Sequence, residues 1–186
     1  MFSFLGIGTL SLITFLPLLG MIVILLIPSG KDELAKQKST NLYRWITVGF
    51  TFLQLLIAIG IYANFDWSLS GVTDESSLQF VEKVRWIELK ALPIMGDLNI
   101  DYFMGIDGIS APMLLLTALI CFVATFASWS IEKLQKGYFA MYLLLDFGMM
   151  GLFCALDFFL FFLFWEIMLL PMYFLIGIWG GPRREY

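Results

Sequence analysis

Two carboxyl side chains lie inside long apolar stretches, and they are the residues best suited to chemistry. Asp146 occurs in YLLLDFGMM and Glu166 in FFLFWEIMLL. A charged residue at the centre of a membrane helix costs about 2.5–3.5 kcal/mol or more, so such residues mark ion and proton pathways. We expect Glu166 to lie on an ion or proton pathway; the alternative is a protonated glutamate that hydrogen-bonds a neighbouring helix. For Asp146, a relay role and a packing role with Tyr142 as partner both stay open.

The spacing of the two acids places both near the middle of a bilayer. Glu166 follows the start of its apolar run at Phe158 by eight residues, which is roughly 12 Å along a helix. Asp146 lies at the same distance from Tyr138, counted from the opposite face. The sequence contains 11 lysines and arginines, and all of them are expected in loops. A cation that pairs with Glu166 would therefore come from outside these spans.

Pro171 is the third residue of interest, five positions after Glu166. Its ring removes the backbone N–H that would bond the carbonyl of residue 167. A bend or local unwinding there would admit water beside Glu166, because irregular backbone at membrane depth is tolerated where it lines protein or water. The alternative is an ordinary packing kink. Pro171 is thus a possible relay or gating element, as is Asp146.

Metal and cofactor chemistry is not expected on this chain. It has no histidine, and its two cysteines, Cys121 and Cys154, lie in apolar runs without a CxxC spacing. An iron–sulfur cluster or structural zinc site needs more thiolate or imidazole ligands than these. No glycine-rich phosphate loop follows a strand, so a nucleotide site is also not predicted. Nucleic acid is not predicted as a partner either.

The chain is predicted to lie in a lipid bilayer, because 60% of the 186 residues are hydrophobic and 14% are charged. In soluble domains, apolar residues rarely exceed about half of the composition. A membrane-spanning helix needs a run of about 20 apolar residues. Five runs are long enough, at about residues 4–27, 45–65, 110–129, 138–156 and 158–179. The predicted fold is an all-α polytopic membrane protein. Its segments are residues 1–65 with helices 1–2, residues 66–109 as an extracytoplasmic loop, and residues 110–186 with helices 3–5.

The loop between the second and third spans carries a β pattern. Apolar and polar residues alternate over residues 84–90 and again over 98–104, with Pro93 and Gly96 between the two runs. Period-two alternation on both sides of a Pro/Gly break is typical of a β-hairpin. Ser110 is expected to cap the third span, with Pro112 in its first turn.

The basic residues predict the orientation. Eight lie in the loops after spans one, three and five, and three lie in the hairpin loop. Cytoplasmic loops carry the excess of lysine and arginine. The N-terminus and hairpin are therefore expected outside, and residue 186 on the cytoplasmic side or its organellar equivalent.

The segments LDFFLFFLFWEIMLLPMYFLIGIWGG and YFMGIDGIS resemble the N-terminal portion of the antiporter-like subunit M (chain 4) of respiratory NADH:quinone oxidoreductase, complex I. Subunits of Mrp-type sodium/proton antiporters are related. The resemblance implies an antiporter-like inverted-repeat fold, of which this chain holds the start of the first repeat. It also implies that Glu166 is the proton-translocating glutamate, with a lysine partner two helices further on. The chain is then a fragment, a truncated gene product or half of a split subunit.

The function implied by this resemblance is that of a membrane-arm subunit which couples proton translocation to electron transfer to quinone. NADH, FMN, iron–sulfur clusters and quinone would belong to partner subunits, so this chain would perform no redox chemistry. Its partners would be the other complex I membrane subunits, especially the L-type and N-type antiporter-like subunits. The alternatives are a subunit of a Mrp-type sodium/proton antiporter and a structural scaffold in which Glu166 only packs.

Overall fold

Five long helices dominate the computed structural model, which describes residues 8–28, 30, 33–69, 77–92 and 96–181. All five are long and apolar enough to cross a membrane. The predicted helical fold with five spans is therefore confirmed. The helices are α1 (Thr9–Leu26), α2 (Glu33–Ala63), α3 (Ser110–Ala127), α4 (Gln135–Cys154) and α5 (Phe158–Trp179).

The second helix is longer than its apolar run, and this corrects the prediction of a loop before Trp45. The helix α2 begins at Glu33 and has 31 residues, about 46 Å at 1.5 Å per residue, whereas the hydrocarbon core is about 30 Å thick. Lys36, Lys38 and Arg44 thus lie on a helix. Hydropathy marks where lipid ends, while lysine and glutamine are good helix formers that let the helix continue into water.

The predicted β-hairpin is confirmed. Strand β1 (Gln79–Leu92) pairs antiparallel with β2 (Gly96–Ile106), and the register sets Val84 opposite Tyr102. The turn residue Pro93 lies outside the described residues. The hairpin packs on the ends of α4 and α5, where the Leu156 N–H donates to the Phe103 carbonyl at 2.9 Å.

A carboxylate of the hairpin holds the first turn of α1. The Glu82 carboxylate accepts hydrogen bonds from the backbone N–H of Leu10 at 2.6 Å and of Ser11 at 3.2 Å. The Ser11 hydroxyl also donates to Glu82 and lies 2.7 Å from the Tyr102 hydroxyl. A Cβ at Gly8 would lie 1.8 Å from the Glu82 Cδ, so a larger residue there would displace the Glu82 carboxylate from the helix start. The free N–H groups at a helix start are thus satisfied by another element.

The cap of α3 differs from the predicted Ser110. The Asp107 carboxylate accepts from the backbone N–H of Ile109 at 3.0 Å and of Ser110 at 2.6 Å. Burial by itself would raise the pKa of Asp107, but these hydrogen bonds outweigh it and lower the pKa. Asp157 caps α5 in the same way through the N–H groups of Phe159 and Leu160. Serine and aspartate both cap helices well, and here the aspartate three positions earlier reaches the free N–H groups.

The fourth helix lies at the centre of the bundle and approaches α5 closely. A Cβ at Gly151 would be 2.2 Å from the Phe164 ring, and one at Gly148 would be 3.0 Å from the Met168 Cβ. Two glycines one turn apart thus let the helices touch at van der Waals distance, as small residues do in membrane helix pairs. This contact fixes which way the acids on α4 and α5 point.

Candidate functional site

Glu166 lies in the middle of α5, on the face that no described helix covers. Its side chain is exposed, as are Trp165 at 43% and Leu170 at 53%. The buried residues of α5 are Leu160, Phe164 and Pro171, on the opposite side. Within the described part of the chain, Glu166 has no hydrogen bond or ion pair. The carboxyl group therefore points away from α1–α4.

Pro171 lies inside an unbroken helix. The helix α5 runs from Phe158 to Trp179 without interruption, and Pro171 is buried. The carbonyl of residue 167 still loses its usual N–H partner. A water-admitting bend at this position stays a prediction.

Asp146 lies inside the bundle, fully buried at 0% exposure. The amide Nε2 of Gln54, also fully buried, donates to Asp146 Oδ1 at 3.1 Å. Tyr142, the partner expected from the sequence, instead donates to the backbone carbonyl of Cys121. Asp146 thus pairs with Gln54 on α2 and lies beside the Cys121 thiol on α3, and its side chain forms no hydrogen bond with Tyr142.

Polar side chains of α2 and α3 extend this buried contact along the bundle. Thr47 and Thr51 lie seven and three residues before Gln54 and are fully buried. The Thr51 hydroxyl lies 3.5 Å from that of Thr125 on α3. The spacing of Thr47, Thr51 and Gln54 places them on one helix face, which is the signal by which the sequence could have revealed the pair.

The two acids are not brought together. The contacts of Gly148 with Met168 and of Gly151 with Phe164 fix the register of the two helices. This register leaves Asp146 and Glu166 about one helical turn apart in depth, on the order of 5 Å. Asp146 faces α2, whereas Glu166 faces outward. They are therefore two separate protonatable groups within the membrane span.

Metal binding finds no support in the described ranges. They hold no group of three or more histidine, cysteine, aspartate or glutamate side chains that would bind a metal. Cys121 and Cys154 are free and buried. Proton exchange by carboxyl groups is the chemistry that the arrangement itself offers.

Comparison with known proteins gives a consistent set of relatives. Residues 49–155 match the family model described as NADH-ubiquinone oxidoreductase chain 4, amino terminus. The NAD(P)H-quinone oxidoreductase chain 4 1 of a Nostoc species is 34% identical over 95% of this chain and 29% of its own length. The NADH-quinone oxidoreductase subunit M of Rhodobacter capsulatus is also 34% identical, over 95% of this chain and 31% of its own length.

A solved structure shares the fold. A chain of respiratory complex I from Thermus thermophilus with bound NADH superposes with a TM-score of 0.63 and 22% identity, covering 95% of this chain and 30% of that one. The chain thus spans about 30% of the length of the relatives it matches. By its family match and these relatives, it belongs to the family of NADH-ubiquinone oxidoreductase chain 4, also named subunit M, whose amino-terminal part it matches.

Proposed function

We propose that this chain forms the N-terminal part of a membrane-arm subunit of a proton-pumping NADH:quinone oxidoreductase, and that Glu166 carries the translocated proton. One observation carries the proposal: a carboxyl group in the middle of a membrane span is exposed and unpaired among the described residues. Such a group is unfavourable against lipid. In the working protein, this face of α5 is therefore covered by protein or by water.

A cation from a later part of the subunit supplies the missing partner. The lysines and arginines that the structure describes lie in the hairpin, in the part of α2 before Trp45, or around the start of α4. None of these lies within the apolar run of a helix, since Arg44 comes just before the run that begins at Trp45. A nearby cation favours the ionised carboxyl, and its withdrawal favours the protonated one. Alternation between these states lets Glu166 take up a proton and release it.

The redox steps are assigned to other subunits. NADH, FMN, iron–sulfur clusters and quinone would bind there, and the L-type and N-type antiporter-like subunits would be neighbours in the membrane. This chain contributes the protonatable groups, with Glu166 as the carrier and Asp146 and Pro171 as relay or gating elements. Energy from electron transfer would reach Glu166 through the charge of its cationic partner.

The proposed orientation places the hairpin outside. Lys36, Lys133 and Lys136 are at the end of the bundle opposite to the hairpin, and basic residues favour the cytoplasmic side. Reporter fusions at residues 35 and 90 test this in a bacterial inner membrane. A cytoplasmic signal at 35 with an external signal at 90 is expected, and the reverse pattern would contradict it.

The direct test of the function is Glu166→Gln in the assembled complex. Glutamine keeps the size of the side chain but cannot exchange the proton, so NADH-driven proton uptake by membrane vesicles should be lost or sharply reduced. Wild-type uptake would refute the role of Glu166. Co-purification with flavin and iron–sulfur subunits is expected as well; recovery with sodium/proton antiporter subunits alone would favour the Mrp-type alternative.

A further inference from the structure

Among the described residues, two buried oxygen atoms between α2 and α4 have no hydrogen-bond donor that meets the usual distance and angle. Gln54 and Asp146 share one hydrogen bond, from Nε2 to Oδ1 at 3.1 Å. The other oxygen of each side chain, Gln54 Oε1 and Asp146 Oδ2, is buried and has no partner among the described residues. Buried polar atoms are normally paired, so each exception needs an explanation.

A single proton would satisfy both atoms. An amide and a protonated carboxyl group form a ring of two hydrogen bonds, in which each group donates once and accepts once. The existing bond supplies one side of this ring. A proton on Asp146 Oδ2 that is donated to Gln54 Oε1 supplies the other. An ionised Asp146 would instead leave two acceptors side by side, at the cost of an uncompensated buried charge.

The groups around the pair provide no compensating cation within the part of the chain that the structure describes. On α3 and α4, the titratable neighbours of Asp146 are Cys121, whose thiol is close enough to act as a weak hydrogen-bond donor to the carboxyl group, and Tyr142. Both are neutral when protonated. On α2, Arg44 lies ten residues before Gln54, roughly 15 Å along the helix. The helix α1 contains no titratable residue, and Glu166 of α5 points away from the bundle.

We infer that Asp146 is a proton-binding site of its own, in which the neutral carboxyl group is locked to the Gln54 amide by two reciprocal hydrogen bonds. The site joins α2 to α4 and keeps a proton about one helical turn from the depth of Glu166. It gives the relay role proposed for Asp146 a specific partner. This proton site does not depend on proton pumping, because Asp146 holds the proton in the resting protein.

The test is infrared spectroscopy of the assembled, resting complex at neutral pH, with aspartate labelled by ¹³C at the side-chain carboxyl. A C=O band of a protonated carboxyl group should shift with the label and disappear in Asp146→Asn. Asp101→Asn is the matched control, since Asp101 forms an ion pair with Lys83 at 3.2 Å and should leave that band unchanged. Loss of a carboxylate band in Asp146→Asn, with no protonated band lost, would overturn the inference in favour of an ionised, water-bridged Asp146.

A second variant tests the pairing itself. Gln54→Leu removes both hydrogen bonds but keeps Asp146. The C=O band of the protonated Asp146 carboxyl group should therefore persist, at a higher frequency. An unchanged frequency would refute the reciprocal pair. Asp146→Asn should keep wild-type thermal stability, because two amides form the same ring. Pumping by Glu166 could fail or succeed in its own test without altering any of these signals.

Discussion

The contact between Glu82 and the start of α1 allows a worked prediction. Replacement of Glu82 by alanine removes the acceptor for the backbone N–H groups of Leu10 and Ser11 and for the Ser11 hydroxyl. A hydrogen bond to a charged group contributes about 1.5–3 kcal/mol, and a negative charge at a helix N-terminus adds about 0.3–1 kcal/mol.

These contributions do not add fully. The bonds share one carboxylate, and water reaches this half-buried site once the side chain is removed. We therefore expect Glu82→Ala to lower the free energy of unfolding by about 2–3 kcal/mol. Glu82→Gln keeps one acceptor oxygen but loses the charge, so about 1 kcal/mol should be lost. The matched control is Glu88→Ala on the same strand, where the exposed ion pair with Arg85 contributes about 0.2–1 kcal/mol.

The assay is denaturant unfolding of the full-length subunit, combined with hydrogen exchange of individual amides. The amides of Leu10 and Ser11 should exchange faster in Glu82→Ala and stay protected in Glu88→Ala. Equal destabilisation by the two alanine variants, or unchanged protection at residues 10 and 11, would refute the view that the hairpin caps α1.

Three further predictions concern caps, packing and pH. Asp107→Ala should destabilise the subunit in thermal unfolding by about 1 kcal/mol, more than Ser110→Ala, because the aspartate accepts the two N–H bonds; the opposite order would contradict the assigned cap. Gly151→Ala should cost about 1–3 kcal/mol by forcing a methyl group into Phe164, whereas Gly49→Ala, with nothing within 4 Å, should be neutral or slightly stabilising. Burial, opposed by the Ser11 hydrogen bond and aided by the Glu82 carboxylate, raises the pKa of Tyr102 above its ordinary value. The unfolded chain thus releases the Tyr102 proton at a lower pH than the folded one, so the free energy of unfolding should fall as pH rises above about 10. A Tyr102→Phe variant, unfolded at alkaline pH, should show a smaller fall in this free energy.

The spans and the hairpin could be predicted because each is encoded locally. Hydropathy runs set the five helices, and the fifth run, at residues 158–179, coincides with α5. The extension of α2 to Glu33 was missed, because an apolar run reports contact with lipid rather than helix length. The cap at Asp107 was missed because two capping residues occur within four positions.

The buried pair was beyond sequence reasoning for a different reason. Gln54 and Asp146 are 92 residues apart, and only the packing of α2 against α4 brings them together. Tyr142 was the nearer residue in sequence, but its hydroxyl is used by the Cys121 carbonyl. Glu166, in contrast, could be singled out from the sequence, since an acid in the middle of an apolar run is conspicuous wherever its side chain points.

The most direct measurement for the central claim is the rate of NADH-driven proton uptake per assembled complex, with Glu166→Gln and Glu132→Gln compared in the same vesicles. Glu132 is an exposed carboxylate in the loop before α4, so its replacement should leave uptake at the wild-type rate. The account predicts that Glu166→Gln assembles normally and loses most or all proton uptake. Equal uptake in the two variants and the wild type would contradict it.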